Sequence, residues 1–541
     1  MSERIILIGY GTVGARFVDE LLPAVRSGQI DLTVIGAEAA DAYNRVLVAE
    51  YAVGVAERDT LDITDTDAAR EAGVRILTGT SVTAISRTRR LISLGTGEEL
   101  AWDRLVFATG ARANIPTLDG IKKLRRDRMK PSGDARLLDS AEAPLPRGVT
   151  TLRDLDDAHR VLQAVQEGKR IVVLGAGVLG MELALAAARA GSETCVVYHS
   201  EVPMSRNLDR GGGAVLAGSA RRAGVSMVSH ARAEGLLFHV DDDGHERFDA
   251  LLCADGKQIN GDLLVLSCGV HARTELAYLA GLAVSSGILV DEQLRSWSDP
   301  DVYAIGDCAH VATKPAETDS SALPAGGPSG LVGPGWRQAD WLAAEFIRGT
   351  AADEPLLERQ SSVVMLKAEG VDVVAAGNTA PEPWDLDLDE NRDHADSCVK
   401  APIRVAQWID PEHGRYVKMV TRGGVLEGFV CVGMPRTAAE LTLLFERGSE
   451  LPSDRSVLLR YDGPDYEPDS GGDAFARDAT VCWCNGVSVG KIADAAAEGN
   501  TTVACIGTAT RAGTGCGGCK SRIADILDYV AQSGGTPELV V

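Results

Sequence analysis

Histidine is scarce in this 541-residue chain, nine in all, and none falls within a motif, so an acid–base triad is not where its chemistry should be sought. Basic residues are also in deficit. Lys and Arg total 54 against 77 Asp and Glu, and the formal charge of −23 repels phosphate backbones and anionic membrane surfaces, which argues against nucleic acid as a partner. Nowhere do 18 apolar residues run together, so no membrane-spanning helix is expected. The opening Met1-Ser2-Glu3-Arg4 leads into only four apolar residues, Ile5 to Ile8, too short a run for a signal-peptide core. The expectation is a soluble, cytoplasmic protein. Aromatic residues make up 5%, and the 11 cysteines are few for the length and odd in number, which argues against a secreted disulfide framework.

What the chain has in quantity is glycine, 59 residues, within an otherwise ordinary globular composition that is 45% hydrophobic and 24% charged. Its length suggests three or four compact units. Short apolar strands run into glycine turns twice, at Ile5-Ile6-Leu7-Ile8-Gly9 and at Ile171-Val172-Val173-Leu174-Gly175, each followed by a helix-like stretch. That repetition predicts two related nucleotide-binding units. Residues 121–147, charged and proline-bearing, read as a surface insertion or linker. Between about 355 and 450 the pattern becomes one of short strands, such as Arg415 to Val420 and Leu426 to Cys431, interrupted by an acidic loop from Asp385 to Asp396. A polar segment from Tyr461 to Asp473 reads as a linker to a small helical unit, 478–535.

In the first turn, Gly9-x-Gly11-x-x-Gly14 closes a strand and opens a helix, with Thr12 and Val13 at the helix start. The first glycine permits the tight turn, the second lets the backbone approach a pyrophosphate, and the third allows close helix–strand contact. Glu38, 24 residues beyond Gly14 at the end of the next strand, is placed to bind ribose hydroxyls. The second fingerprint is Gly175-x-Gly177-x-x-Gly180-x-Glu182. Two further apolar strands end in turns, Leu105 to Gly110 with Thr109-Gly110, and Val302 to Ile305 followed by Gly306-Asp307.

Taken together, these motifs resemble the two-dinucleotide-binding flavoprotein reductases. The resemblance implies that Thr109, Gly110 and Asp307 belong to an FAD site, with Asp307 at the ribityl chain, and that an NAD(P) unit carrying Gly175, Gly177 and Gly180 is inserted between the two halves of the FAD unit. Glu182 would then neighbour the nicotinamide. At the end of the next strand Tyr198 stands where NAD-specific members carry Glu, and Arg206 could meet a 2′-phosphate, so NADH and NADPH both stay open. Many members pass electrons through cysteines on the segment that is here Ala42 to Tyr51, but this segment contains no cysteine. Thiol exchange therefore lacks its nucleophile. The Tyr43-Asn44-Arg45 run instead resembles the flavin unit of bacterial NAD(P)H-dependent nitrite reductase large subunits and of the electron-transfer subunits of assimilatory nitrate reductases, which implies that Asn44 and Arg45 lie near FAD.

Cys482-x-Cys484 and Cys516-x-x-Cys519 are separated by 31 residues, and the second pair is set among glycines. Four thiolates so arranged suit a two-iron cluster, a pair to each iron, and suit a structural zinc equally well by spacing alone. The surrounding residues, Val481 to Val487 and Thr510 to Lys520, resemble the bacterioferritin-associated-ferredoxin type of [2Fe–2S] domain. Cys505, between the pairs, reads as a buried small apolar residue rather than a ligand.

The expected fold is α/β, with two Rossmann-like dinucleotide-binding domains, an α+β domain and a small helical [2Fe–2S] domain. The expected bounds are 1–118 and 267–350 for the FAD domain, 148–266 for the NAD(P) domain inserted within it, 355–452 for the α+β domain and 478–535 for the cluster. The expected activity is an electron relay from NAD(P)H through FAD to the cluster, with no protein acid or base in a catalytic role. The resemblance makes a molybdenum-containing nitrate reductase subunit the first acceptor to consider and a separate nitrite reductase the second. Nitrite reductase large subunits continue into a sirohaem domain whereas this chain ends at Val541, so it is not expected to reduce nitrite alone.

Overall fold

A computed structural model describes residues 2–121, 144–314, 324–348, 356, 363–368, 370–385, 401–463, 477–482, 485–515 and 517–532. Most of the 121–147 insertion, of the acidic loop and of the 461–473 linker lies outside the described residues.

The first glycine turn belongs to an eight-stranded sheet. At its centre Glu3–Ile8 lies between Ile30–Ile35 and Arg104–Phe107, all parallel, and Asp299–Ala304 continues the sheet beyond Arg104–Phe107. Ile5, Leu7, Leu32, Val34, Leu105 and Val106 have no exposure, as expected of strands covered on both faces. The helices Thr12–Arg26 and Val332–Arg348 seal one side. Phe17 from the first and Tyr303 from the sheet meet Phe346 of the second edge to face, with ring centroids 5.8 and 5.0 Å apart. Each such ring, fully buried, contributes roughly 1.5–3 kcal/mol.

The second turn belongs to a five-stranded, wholly parallel sheet in the order Val225–Val228, Thr194–Val197, Ile171–Leu174, Leu263–Leu266, Val149–Thr151. The chain crosses between the two sheets twice, and the crossings pair antiparallel through Ala111–Ala113 and Val270–Ala272. One dinucleotide unit is thus inserted within the other.

A third sheet, antiparallel, runs Val364–Ala368, Val371–Gly377, Val425–Val432, Arg415–Arg422, Ile403–Asp410, with the helix Pro435–Arg447 against it. Its Val373, Tyr416, Val430 and Val432 share a core with Met181, Leu185 and Leu216 of the second dinucleotide unit. The last unit contains three helices, Val489–Ala497, Val503–Thr510 and Lys520–Gln532, around Val481, Val487, Ile492, Ile506, Ile523 and Ile526. No helix among the described residues is long and apolar enough to cross a membrane.

Candidate cofactor and cluster sites

The two glycine turns are built alike. Gly9 and Gly175 have φ of +112° and +116°, and a Cβ on either would stand 2.2 Å from a carbonyl oxygen of the neighbouring strand end, Ala108 or Ser267. A Cβ on Gly14 would meet the Gly9 oxygen at 2.3 Å, and one on Gly180 the Gly175 oxygen at 2.2 Å. Only glycine fits these four places. The middle glycines differ. Nothing lies within 4 Å of a Cβ built on Gly177, and only the Arg45 guanidinium lies within that distance of one on Gly11. Both head helices with no side-chain cap and no acid in the first turn; the helix end at Gly177 faces open space, and the one at Gly11 faces the Arg45 guanidinium. That cradle fits a pyrophosphate.

Around the first turn the expected FAD residues form one chain of contacts. Glu38 is ion-paired with Arg45 and accepts a hydrogen bond from the Tyr43 hydroxyl at 2.7 Å. The Arg45 guanidinium lies 4.9 Å from the centre of the Tyr43 ring. Burial, reinforced by the Glu38 carboxylate, pushes the Tyr43 phenol well above its ordinary pKa, so it stays a donor. Arg45 also donates to the Arg153 carbonyl (3.1 Å), and Arg153 donates to Asp307 (3.1 Å) and to the Ala111 carbonyl (3.1 Å). Arg153 was not among the residues singled out from sequence. It follows a strand of the other dinucleotide unit, and nothing in its local sequence marks it.

Asp307 sits in the short turn Gly306–Cys308 and lines an open cleft with Gly306, Gly335 and Gln338. Gln338, also unforeseen, accepts from the Gly306 amide at 2.7 Å, and the Trp336 indole donates to the Thr12 carbonyl at 3.1 Å. Val13 is the contact that a Cβ on Gly306 or Gly335 would meet, at 3.1 and 2.7 Å, so these glycines let the fingerprint helix close on the cleft. Thr109 donates to the Arg273 carbonyl at 3.1 Å, and Gly110, at φ +67°, has open space where a Cβ would be.

Three expectations meet a different arrangement. Tyr198 is only 3% exposed and turns into the core, so its ring does not face a ribose; the exposed residue at that strand end is His199. Asn44 spends its carboxamide on the cysteine-bearing loop, donating to the carbonyls of Thr514 (3.2 Å) and Gly515 (2.6 Å). Cys505 is exposed, because it lies in the first turn of Val503–Thr510, whose inward position is taken by Ile506. Glu182 is half-buried in the helix Val178–Arg189.

Of the four clustered cysteines, Cys484 and Cys516 lie outside the described residues. Cys482 ends the strand Thr480–Cys482 and Cys519 immediately precedes the helix Lys520–Gln532; both are buried. The Cys482 thiol is drawn well below its ordinary pKa, chiefly by its hydrogen bond with Cys519 and then by the backbone N–H groups of Gly513 and Asn485, against the opposing effect of burial. The Asn485 side-chain amide also lies 3.7 Å from the Cys482 sulfur and donates to the Arg511 carbonyl at 2.7 Å. Juxtaposed thiols with N–H groups aimed at sulfur are a donor set that fits an iron–sulfur cluster.

The fold and these sites define a two-dinucleotide α/β oxidoreductase with a thiolate module. Residues 3–324 match the pyridine nucleotide-disulphide oxidoreductase family, and the chain belongs to it. Residues 480–529 match the BFD-like [2Fe–2S] binding domain. The cofactors are therefore FAD, NAD(P)H and a [2Fe–2S] cluster, and the zinc alternative is set aside. Over 98% of its length the chain is 26% identical both to a nitrite reductase [NAD(P)H] and to an assimilatory nitrate reductase electron transfer subunit, each from Bacillus subtilis (strain 168). It spans 58% and 60% of those two relatives. Among solved structures, the covalent putidaredoxin reductase–putidaredoxin complex shares the fold, with a TM-score of 0.63 and 21% identity over 84% of this chain and 95% of that one.

Proposed function

We propose that the chain relays electrons from NAD(P)H to a molybdenum-containing nitrate reductase subunit in nitrate assimilation, as a cytoplasmic electron-transfer component. The observation that carries this reading is the presence, in one chain, of two glycine cradles and a buried pair of hydrogen-bonded cysteines, with no cysteine on the Ala42–Tyr51 segment to divert electrons into thiol exchange. When bound, FAD accepts a hydride as two electrons, and a [2Fe–2S] cluster passes electrons one at a time. The overall balance is NAD(P)H, a proton and nitrate giving NAD(P)+, nitrite and water.

Within this reading the chain's own groups bind and orient. The N–H groups after Gly11 and Gly177 take the two pyrophosphates, Glu38, Arg45 and Asp307 border the flavin dinucleotide, and Cys482, Cys484, Cys516 and Cys519 hold the irons. Thr12, Val13, Thr109 and Gly110 shape the first site, and Gly180 and Glu182 the second. The units are bounded as the sequence suggests, 1–118 with 267–350, 148–266, 355–452 and 478–535. A separate nitrite reductase is the second acceptor to test, since relatives of both names are equally similar.

Anaerobic titration with NADH and with NADPH should bleach flavin bands and then the broad sulfide-to-iron absorption. Adding a purified molybdenum subunit and nitrate should restore both and yield nitrite. A flavin that reduces while the iron absorption never changes would overturn the relay. Reoxidation by a nitrite reductase but not by the molybdenum subunit would move the acceptor.

A further inference from the structure

The contacts between the cysteine-bearing loop and the first dinucleotide unit belong to neither cofactor site as described above. Asn44 is 1% exposed and fully committed. Its Oδ1 accepts from the Val46 amide at 3.1 Å, fixing the short turn Arg45–Leu47, while its Nδ2 donates to the carbonyls of Thr514 and Gly515, the two residues immediately before Cys516. A few residues earlier on the same loop, the Arg511 guanidinium lies 2.8 Å from Glu20 on the helix that the first fingerprint opens. The Arg511 carbonyl in turn accepts from Asn485, whose amide is the one beside the Cys482 sulfur. The first dinucleotide unit thus holds the loop at two points, one adjoining Cys516 and one linked to Cys482.

The neighbour of Asn44 faces the other way. Arg45 is the group that stands over Gly11 and pairs with Glu38. Two consecutive residues therefore touch the cluster loop and the dinucleotide turn. We infer that Asn44, supported by the Glu20–Arg511 pair, is the positioning residue that docks the cluster loop on the flavin-binding unit and sets the separation across which electrons leave the flavin. Asn44 is the dominant member, because a buried carboxamide bonded at both ends is costly to remove, whereas a half-exposed ion pair contributes little. The step it serves moves one electron and no atoms, and occurs twice for each hydride delivered. The inference rests on the relay proposed above.

The test uses the full chain carrying flavin and cluster, with Asn44→Ala, Asn44→Asp, Glu20→Arg and the exchange pair Glu20→Arg with Arg511→Glu. Asn44→Asp keeps the size and the acceptor for Val46 but cannot donate to the loop, and it serves if the alanine variant fails to fold. Hydrogen exchange of residues 511–515 reports docking without reference to activity. Anaerobic stopped-flow mixing with NAD(P)H separates flavin reduction from cluster reduction. With Asn44→Ala or Asn44→Asp, exchange of 511–515 should rise about tenfold or more, and cluster reduction should lag flavin reduction by a comparable factor relative to wild type. Glu20→Arg should show a smaller change in the same direction, with flavin reduction as in wild type, and the exchange pair should restore both readouts. Unchanged exchange in the Asn44 variants, or raised exchange with an unchanged lag, would overturn the positioning role alone. A wild-type chain whose flavin reduces while its cluster never does would overturn the relay, and this role with it.

Discussion

The Lys418 ammonium lies 3.2 Å from the Asp209 carboxylate, and both side chains are essentially out of water, at 0% and 4% exposure. Asp209 caps the helix Arg210–Arg222 of the second dinucleotide unit, and Lys418 lies on the third sheet, so the pair crosses the seam between them. Lys418 also donates to the Thr379 carbonyl at 3.0 Å, and the Tyr416 hydroxyl donates to the same Asp209 oxygen. Burial and the Asp209 carboxylate push the Tyr416 phenol far above its ordinary range, so it remains a donor at any pH the protein meets.

Removing Lys418, which also lies 3.5 Å from the Glu382 carboxylate, leaves the buried Asp209 charge without this counter-ion, held by the Tyr416 hydroxyl and the Gly212 N–H. Lys418→Met should therefore cost about 3–5 kcal/mol, seen as a lower melting temperature of the full chain. The double variant Lys418→Met with Asp209→Asn should recover a large part of that loss. Equal melting of the single variant and wild type would show that water reaches the seam.

The two kinds of glycine in the second fingerprint predict opposite outcomes for one added methyl group. A Cβ at Gly180 would stand 2.2 Å from the Gly175 oxygen and 3.2 Å from the Ser267 Cβ, so Gly180→Ala must push the helix off its strand. A cost of about 1–3 kcal/mol follows, visible in thermal denaturation without any coenzyme. At Gly177 the methyl group meets nothing within 4 Å, so Gly177→Ala should melt like wild type. It should nevertheless bind NADH and NADPH about tenfold or more weakly in fluorescence titration, because it fills space a pyrophosphate needs. Unimpaired coenzyme binding by Gly177→Ala would remove the pyrophosphate from this turn.

These glycines were legible in the sequence because the constraint is local. A positive φ at Gly9 and Gly175 and a close backbone approach at Gly14 and Gly180 leave no other residue type, and the apolar strands before them are read directly from their runs. Direction was harder to read than place. Tyr198 is at the strand end where a coenzyme-reading residue was expected, but its ring turns inward and His199 outward. Cys505 reads from the sequence as a buried small apolar residue, whereas the helix puts Ile506 inside and Cys505 outside. Contacts that depend on distant chain segments left no local signal. Arg153 reaches Asp307 across 154 positions and Asn44 reaches Gly515 across 471, and neither pairing has a spacing rule.

The cysteines away from the cluster should differ sharply toward an alkylating reagent. Burial holds the thiols of Cys308 and Cys431 above their ordinary pKa, and pushes those of Cys195 and Cys268 up to about 11. At pH 8 a thiol of that pKa is about 0.1% thiolate, and the thiolate is what reacts. Cys505 is the exposed one among the described cysteines. Brief iodoacetamide treatment of the cluster-loaded chain, read by peptide mass spectrometry, should label Cys505 well before Cys195, Cys253, Cys268, Cys308 and Cys431. Early labelling of Cys268 would show that the strand end after Leu263–Leu266 opens in solution.

The Cys482 thiol predicts how the cluster-stripped module responds to acid. Its pKa is lowered in the folded chain because Cys519 and the N–H groups of Gly513 and Asn485 favour the thiolate. A group whose folded pKa is depressed contributes stability in full above the unfolded value, and loses it as pH falls through the folded one. The stabilisation from the Cys482 thiolate is thus present at alkaline pH and is lost as pH falls through the lowered range of the folded thiol. After chelation of the iron, exchange protection in the helix Lys520–Gln532, corrected for intrinsic rates, should drop about tenfold or more between pH 8.5 and 6. Asn485→Ala, which removes only the side-chain donor 3.7 Å from the sulfur, should weaken that dependence slightly, and Cys482→Ser should abolish it. With the cluster in place the slope should vanish over the same range, since iron then holds the sulfur deprotonated. A stripped chain equally protected at both pH values would mean that the thiolate is not what these N–H groups stabilise.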